Sequence, residues 1–284
     1  MNVQIMTTSA CTASCTFCPH NKSWHNRNPG VMSDKTFYNV VEKLSDKHIV
    51  KLCPYLQNEP LADKRIIERI SALKQLDFEW LEVATNASLL TEGKQILLLE
   101  ALDGIRSEVR ISFHGIDKYN YEKTMGLDFE AVLANIISFV KKAQSFPDCT
   151  VEIRCCGFSL GGGKPFIDKQ EFTAFWHKHL CGSDGYRLDY FGHNDRAGNN
   201  DNNFGCNRPL NGAVCGRILD WVNIRYTGEL ILCCNDYQHE YILGDLNVSS
   251  LDDVLSGLKR EVVIALASGR IKGSSPFICE RCIG

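Results

Sequence analysis

Three cysteines stand within eight residues near the start of the chain, Cys11, Cys15 and Cys18, in the spacing C-x3-C-x2-C. Thiolates this close together are typical of a metal site. Zinc sites usually pair two C-x2-C units or add histidines, and common ferredoxin spacings use four cysteines. Three thiolates instead suit a four-iron cluster with one iron that no side chain binds, so that a small molecule can occupy it. A small zinc loop with His20, or a chance grouping, is the alternative.

The cysteine content of the whole chain is high, 14 of 284 residues, and nothing in the sequence suggests export. In a reducing compartment such a number favours metal binding or redox chemistry over disulfides. The formal net charge of −3 gives no electrostatic reason to bind nucleic acid or an anionic membrane. No stretch is apolar for long enough to span a bilayer. We therefore expect a cytoplasmic protein without nucleic-acid or membrane partners.

The hydrophobic pattern predicts six strands that alternate with five helices through residue 191. This alternation predicts an α/β fold with a parallel sheet, and both an open doubly wound sheet and an incomplete barrel fit it. In either fold, sites form at the carboxyl ends of the strands, where the cysteine loop follows the first strand. A polar loop at 192–205 divides the chain into predicted domains 1–194 and 195–284. The second domain is expected to hold a hairpin around Gly228 and a helix at 249–269.

The cysteine loop after the first strand of an alternating α/β domain resembles the radical S-adenosylmethionine superfamily. This resemblance implies a partial (β/α)6 TIM-like barrel and a 4Fe–4S cluster bound by Cys11, Cys15 and Cys18. In that family, S-adenosylmethionine binds the open iron, and its reductive cleavage yields a 5′-deoxyadenosyl radical that removes a hydrogen atom from the substrate. An external one-electron reductant of flavodoxin or ferredoxin type is implied as a partner.

Further stretches resemble the cofactor-binding motifs of the family at the ends of later strands. The stretch "QNEP" follows the second strand, where the family carries a glycine-rich motif ending in Glu-Pro, and Gln57 and Asn58 replace the usual glycines. "TNASLL" and "ISFHG" resemble the motifs after the third strand and on the fourth strand. The resemblance thus assigns cofactor contacts to Phe17, Asn58, Glu59, Asn86, Ser112 and Arg154. A structural salt bridge is the alternative role for Arg154.

A second group of cysteines lies in the last third of the chain, namely Cys215, Cys233, Cys279 and Cys282. Together with Gly228 they resemble the auxiliary-cluster domain called SPASM in its long form and Twitch in its short form. The long form needs further cysteines between the hairpin and the terminus, and none stands between Cys234 and Cys279. The short form, with one further 4Fe–4S cluster, therefore fits better and brings the expected number of clusters to two. A structural zinc is the alternative, and Cys206 is a spare candidate ligand.

Cys234 stands beside a predicted ligand and is not needed as one. Neighbours on a strand point to opposite faces, so Cys234 faces away from the cluster if Cys233 faces it. Cys234 is either a buried filler or a thiol that returns a hydrogen atom to a substrate radical. Cys155 and Cys156, at the end of the fifth strand, have the same two interpretations.

The resemblance implies hydrogen-atom abstraction from a polar small molecule, such as a sugar, an aminocyclitol or a nucleoside-like compound. Members with one auxiliary cluster include dehydrogenases of aminocyclitols and epimerases of sugar-like antibiotics. Neither a corrinoid-binding domain nor an N-terminal winged-helix extension is apparent, which favours a small substrate. Oxidation of an alcohol and epimerisation with Cys234 as hydrogen donor are the two expected outcomes. A maturase of a short ribosomal peptide and a non-catalytic iron–sulfur or zinc protein are the alternatives.

Overall fold

The computed structural model describes residues 1–159, 167–193, 196–199, 214–273 and 277–282. Six parallel strands make up most of its sheet, and helices connect them. The strands are β1 (Asn2–Ile5), β2 (Ile49–Cys53), β3 (Phe78–Thr85), β4 (Ser107–Ser112), β5 (Cys149–Ser159) and β6 (Tyr186–His193). The helices are α1 (Trp24–Arg27), α2 (Asp34–Leu44), α3 (Ile66–Leu73), α4 (Glu92–Leu102), α5 (Lys118–Met125), α6 (Phe129–Ala143) and α7 (Lys169–His179). The α/β prediction is confirmed, and the parallel sheet is typical of a partial TIM barrel.

The sheet continues without interruption into the C-terminal part of the chain. Its order is β6-β5-β4-β3-β2-β1-β7-β8-β9, with β7 (Trp221–Ile224), β8 (Glu229–Ile231) and β9 (Ile242–Asp245). β7 pairs parallel with β1, while β8 and β9 follow in antiparallel pairing. The C-terminal strands therefore extend the sheet of the N-terminal part. The domain boundary between 194 and 195 stays a prediction, because both residues lie outside the described part of the chain.

The side chains of the parallel strands alternate between an apolar and a charged face. Val83 and Ile111 are fully buried in the core that includes the helices. On the other face, Glu82 is fully buried as well, and its carboxylate forms an ion pair with the guanidinium of Arg110 at 2.7 Å. A buried charge persists only when it is paired, so this face depends on its ionic network. The interior of the partial barrel is thus polar, and the apolar core lies between the sheet and the helices.

The C-terminal part differs from the sequence-based expectation in two elements. The helix expected at 249–269 is present as α9 (Leu251–Leu255) and α10 (Leu258–Ala267), because Gly257 interrupts it and caps the second helix. The expected hairpin is present as β7 and β8, but the third strand, β9, was not predicted. A short helix, α8 (Gly216–Leu219), precedes the hairpin. Among the described residues, none of the helices combines the length and the apolar character that crossing a bilayer requires.

Replacement of Arg69 by methionine is expected to destabilise the fold strongly. Arg69 on α3 is 4% exposed and pairs at 2.8 Å with Asp63, which is 1% exposed. Its guanidinium also donates to the carbonyl of Met32. Methionine leaves the Asp63 carboxylate buried without its partner, which costs about 3–5 kcal/mol. We expect the melting temperature, followed by circular dichroism under anaerobic conditions, to fall on the order of 10 °C.

The matched control is Arg65→Met, because the Arg65 side chain is 40% exposed and pairs with Asp34 and Glu68 at the surface. Exposed ion pairs contribute about 0–1 kcal/mol, so this variant should melt within about 4 °C of the wild type. Equal melting temperatures for the two variants would contradict a structural role for the buried pair.

Candidate functional site: two cysteine-lined centres

The first cysteine loop follows β1 at the carboxyl edge of the parallel strands and is held against the end of α5. The backbone N–H groups of Ser14 and Thr16 donate at 2.9 Å to the carbonyls of Met125 and Thr124. Gly126 ends α5 in the left-handed region, at φ 67°, and a β-carbon there would lie 2.0 Å from the hydroxyl of Ser14. Glycine is therefore required at this position for the loop to pack.

The three thiols of this loop lie within electrostatic reach of one another. Burial, with smaller contributions from the charges of Glu59 and Cys18, raises the pKa of Cys11 to about 12. Burial, followed by the neighbouring Cys18 and Cys11, also raises the pKa of Cys15. Thiols in such surroundings become thiolates when a cation stabilises the negative charge. The donor set therefore fits a metal centre such as the 4Fe–4S cluster.

The zinc alternative gave His20 the role of a fourth ligand. Its Nε2 lies 3.0 Å from the carbonyl oxygen of Ser9, and its ring packs edge-on against His25. One ring nitrogen of His20 is thus used to hold the loop. Across the residues that the structure describes, no three histidine, cysteine, aspartate or glutamate side chains converge closely enough to bind a single metal ion.

Glu59 connects the cysteine loop with the ends of β2 and β3. It is 2% exposed, and its carboxylate accepts hydrogen bonds from the hydroxyl of Thr85 and the N–H of Asn86, both at 2.7 Å. Its own N–H donates to the carbonyl of Ala10 at 2.9 Å, next to Cys11. Burial raises the pKa of Glu59 to about 6. Glu59, predicted as a cofactor contact, thus also holds the cysteine loop through its backbone N–H.

Two asparagines predicted as cofactor contacts stand beside this carboxylate. The Asn86 side-chain amide lies 3.9 Å from the Cys11 sulfur and donates at 3.0 Å to the hydroxyl of Thr12. Asn58 accepts a hydrogen bond from the N–H of Leu56, while its buried Nδ2 has no acceptor among the described residues. A buried N–H group without an acceptor is costly, so a bound ligand would stabilise Asn58. The assignment of both asparagines to the cofactor stays a prediction.

Ser112 and Arg154 are neighbours across the β4–β5 pairing, near the ends of their strands. The guanidinium of Arg154 pairs with Asp189 at 2.6 Å and lies over the ring of Phe191. It also lies 3.2 Å from the carboxylate of Glu152. Arg154 therefore has the salt bridges of its alternative role, and its assignment to the cofactor remains a prediction, as does that of Ser112.

A cavity of about 280 Å³ opens beside the first cysteine loop and is lined by Phe17, His114 and Cys156, among others. The ring of Phe17 packs edge-on against His114, with ring centres 4.9 Å apart. The Nδ1 of His114 accepts a 2.9 Å hydrogen bond from the N–H of Cys156. Burial, with nearby Arg154 and Arg196, lowers the pKa of His114 to about 3, so the ring is neutral and carries its proton on Nε2. His114 was not predicted as a site residue, although it lies within "ISFHG".

The second group of cysteines meets around a separate cavity. The predicted ligands that line it are Cys215, Cys233, Cys279 and Cys282. Asn235, which the sequence analysis missed, also lines this cavity and donates at 3.7 Å to the sulfur of Cys282. An apolar cluster that includes Ile218, Leu232 and Phe277 packs around these residues. Four thiols and an N–H donor around one cavity fit the predicted auxiliary cluster.

The turn between β7 and β8 explains the glycine of this second pattern. Gly228 has φ 92°, and a β-carbon there would lie 2.5 Å from the side chain of Asn247. The turn therefore requires glycine, and it returns the chain toward Cys233.

Cys233 and Cys234 face different surroundings, as predicted, but the reason differs. Both residues lie beyond the end of β8 at Ile231, so the loop rather than strand alternation separates their side chains. The sulfur of Cys234 is half-buried and lies 2.8 Å from an N–H donor of Arg217. Cys234 is therefore not a filler of the core.

The remaining cysteines of uncertain role now differ from one another. Cys155 is fully buried in the main apolar core, whereas Cys156 lines the cavity beside Phe17. Cys206, the spare candidate ligand, lies outside the described residues.

Comparisons with known families agree with both centres. The family described as the radical SAM superfamily matches residues 5–155, more than half of the chain. The SPASM family, described as an iron–sulfur cluster-binding domain, matches residues 215–283, which include the four cysteines of the second cavity. A probable GTP 3′,8-cyclase from Saccharolobus solfataricus is 28% identical over 140 residues. The match covers 49% of this chain and 43% of that protein, so the chain spans less than half of its relative.

Solved structures share the fold over nearly the whole chain. BtrN in complex with AdoMet and 2-DOIA superposes with a TM-score of 0.61 at 14% identity, covering 100% of this chain and 95% of that one. SuiB from Streptococcus suis, bound to the precursor peptide SuiA, superposes with a TM-score of 0.67 at 12% identity. That match covers 93% of this chain and 66% of SuiB. At these identities the likeness concerns the fold alone.

Proposed function

Because the chain belongs to the radical SAM superfamily and carries a SPASM domain, we propose that it epimerises a polar small molecule of the sugar, aminocyclitol or nucleoside type. When bound by Cys11, Cys15 and Cys18, a 4Fe–4S cluster with S-adenosylmethionine supplies the 5′-deoxyadenosyl radical that removes a hydrogen atom from the substrate. A second 4Fe–4S cluster at the auxiliary centre and an external one-electron reductant complete the proposal.

The position of Cys234 carries this proposal. Half-buried Arg196 interacts electrostatically with Cys18, Cys156 and Cys234. The side chain of Tyr237 hydrogen-bonds Cys18 and also interacts with Cys234. Cys234 therefore borders the same region as the first cysteine loop, while its chain neighbour Cys233 lines the auxiliary cavity. A thiol between the two centres is well placed to serve a radical formed beside the first of them.

In the proposed reaction, Cys234 acts as the hydrogen donor. The substrate loses a hydrogen atom to the 5′-deoxyadenosyl radical, and the Cys234 S–H bond then breaks as a new C–H bond forms on the opposite face. The resulting sulfur radical would need one electron, which the external reductant would supply, and one proton from solvent. A cluster held by Cys215, Cys233, Cys279 and Cys282 would relay that electron. Arg217, within 2.8 Å of the sulfur, holds the thiol in place during this cycle.

Two features support a small polar substrate. The cavity beside Phe17 is lined by polar side chains of α5, Asn120 and Lys123, and by the neutral imidazole of His114. One structural neighbour, BtrN, was solved with 2-DOIA. Another neighbour, SuiB, was solved with a precursor peptide, so modification of a peptide is the alternative that the experiment must separate.

Replacement of Cys234 by alanine tests the proposal. Anaerobic enzyme reduced with dithionite is screened with 2-DOIA and a panel of sugars, aminocyclitols and nucleosides in heavy water. We expect the wild type to form an epimer of unchanged composition that carries one deuterium at the inverted carbon. The variant should still form 5′-deoxyadenosine, while inversion falls more than about 100-fold because the hydrogen donor is missing. Chromatography with mass spectrometry measures both products.

Cys156→Ala is the comparison variant, because the Cys156 thiol lines the cavity beside Phe17. It should retain inversion with deuterium incorporation. A product that lacks two hydrogens would show that the reaction is alcohol oxidation and not epimerisation. Turnover of a ribosomal peptide alone would show that the substrate is a peptide and not a polar small molecule. Full inversion by Cys234→Ala would remove Cys234 from the reaction.

A further inference from the structure

The side-chain amide of Gln57 joins the loop after β2 to the loop after β8. Gln57 is 5% exposed and stands two residues before Glu59. Its Nε2 donates at 3.0 Å to the backbone carbonyl of Cys234, and its Oε1 lies 3.2 Å from Nε2 of His239. A residue of the proposed cofactor loop is thus hydrogen-bonded directly to the backbone of the proposed hydrogen donor.

The direction of this hydrogen-bond chain follows from Arg225. A guanidinium is always a donor, and its Nη1 lies 3.0 Å from Nδ1 of His239, so Nδ1 must accept. The neutral ring then carries its proton on Nε2 and donates to Oε1 of Gln57, which leaves the amide nitrogen to donate to Cys234. Burial, together with Arg225, lowers the pKa of His239 to about 3, so the ring stays neutral at physiological pH. Each polar atom of this hydrogen-bond chain is therefore fixed as either a donor or an acceptor.

Arg225 is itself held in place from two sides. Its guanidinium donates to Glu229 and to the hydroxyl of Thr227 at the β7–β8 turn. The ring of Trp24 lies 4.0 Å from the guanidinium carbon and also packs against His239. Trp24 opens α1, shortly after the first cysteine loop, so both cysteine-bearing parts of the chain meet at this junction.

We propose that Gln57 is a positioning residue that holds the backbone of Cys234 and thereby directs its thiol toward the region beside the first cysteine loop. The inference rests on the proposed function in one respect, since it assumes that the Cys234 thiol acts on the substrate. The hydrogen bond to Cys234 is the geometric part and is testable without any substrate. Gln57 itself takes no part in the bond-making steps.

The test compares Gln57→Leu with the wild type as reconstituted holoenzyme. Leucine keeps the volume but cannot donate to Cys234, which leaves the part-buried carbonyl of Cys234 and the His239 N–H without this partner. We expect the rate of alkylation of Cys234 by iodoacetamide, measured on the peptide by mass spectrometry, to rise about tenfold as the loop loosens. With the substrate found in the heavy-water screen, epimer formed per 5′-deoxyadenosine should fall by a similar factor.

Two further variants separate positioning from general destabilisation. His239→Phe keeps the ring contact with Trp24 but lets the amide of Gln57 turn over, so its effect should be smaller and in the same direction. Gln95→Leu is the matched control, because Gln95 is a buried amide that donates to the carbonyls of Leu90 and Asn135. Gln95→Leu should lower stability without changing either readout.

The two proposals can fail separately. Unchanged alkylation of Cys234 in Gln57→Leu would overturn the positioning role, whatever the reaction is. Faster alkylation with an unchanged ratio of epimer to 5′-deoxyadenosine would confirm the hydrogen bond's effect on the loop but overturn its role in catalysis. If Cys234→Ala also inverts the substrate normally, the failure belongs to the proposed function.

Discussion

Cys15→Ala is expected to abolish reductive cleavage of S-adenosylmethionine. The three thiols of the first loop lie within electrostatic reach of one another, and burial raises the pKa of Cys11 and of Cys15, so these two thiols lose their protons when a metal is bound. Loss of an outer-shell partner already costs 10–100-fold in metal affinity, so loss of a ligand should reduce 5′-deoxyadenosine formation by more than about 100-fold. The iron content of anaerobically purified protein should fall from about eight to about four per chain.

Cys181→Ala is the control for this experiment, because Cys181 is exposed after the end of α7. It should retain full iron content and full cleavage. Full iron content and full cleavage in Cys15→Ala would show that the loop does not bind the cluster. Zinc in place of iron in the wild type would show that the chain is a zinc protein. Iron analysis and the spectrum of the reduced protein with S-adenosylmethionine decide between these outcomes.

Cys279→Ala is expected to separate cleavage of the cofactor from formation of the product. Cys279 lines the auxiliary cavity together with three other cysteines. This cavity is separate from the one beside the first cysteine loop. The first cluster should remain, so 5′-deoxyadenosine continues to form, while iron falls to about four per chain. Product per 5′-deoxyadenosine should fall more than about 100-fold, because the sulfur radical of Cys234 no longer receives its electron.

Cys206→Ala tests the ligand set from the other side. Cys206 is the spare candidate, and the four cysteines of the cavity suffice for one cluster. The variant should therefore keep about eight irons and normal product formation. If Cys206→Ala loses iron while Cys279→Ala keeps it, Cys206 and not Cys279 is a ligand of the auxiliary cluster.

The family and the fold class could be predicted because they depend on local features of the chain. The spacing of Cys11, Cys15 and Cys18 lies within one loop, and the alternation of strands and helices is expressed by hydrophobic periods of two and 3.6 residues. Both predictions are confirmed. The site residues were assigned by resemblance, and the structure places Glu59 and Asn86 in direct hydrogen-bonded contact.

Pairing between distant segments could not be predicted in the same way. β7 has the same apolar pattern whether it pairs only with β8 or also with β1. Only the pairing with β8 was predicted, and the structure shows both. Gln57 was recognised as a departure from a glycine-rich motif, without a reason for it. Its side-chain amide contacts His239 and the carbonyl of Cys234, which stand 182 and 177 residues away.

From the sequence alone, the types and spacing of the donor atoms were determined, because thiol chemistry and motif spacing are properties of the chain. The tertiary structure decided which thiol faces which surroundings. Cys233 and Cys234 differ because Cys233 lines the auxiliary cavity, whereas the sulfur of Cys234 accepts a hydrogen bond from Arg217, a residue that also lines this cavity. Cys155 and Cys156 differ because adjacent residues of β5 face the core and the cavity. The direction of each cysteine side chain depends on the residues that pack around its segment, and those residues come from distant parts of the chain.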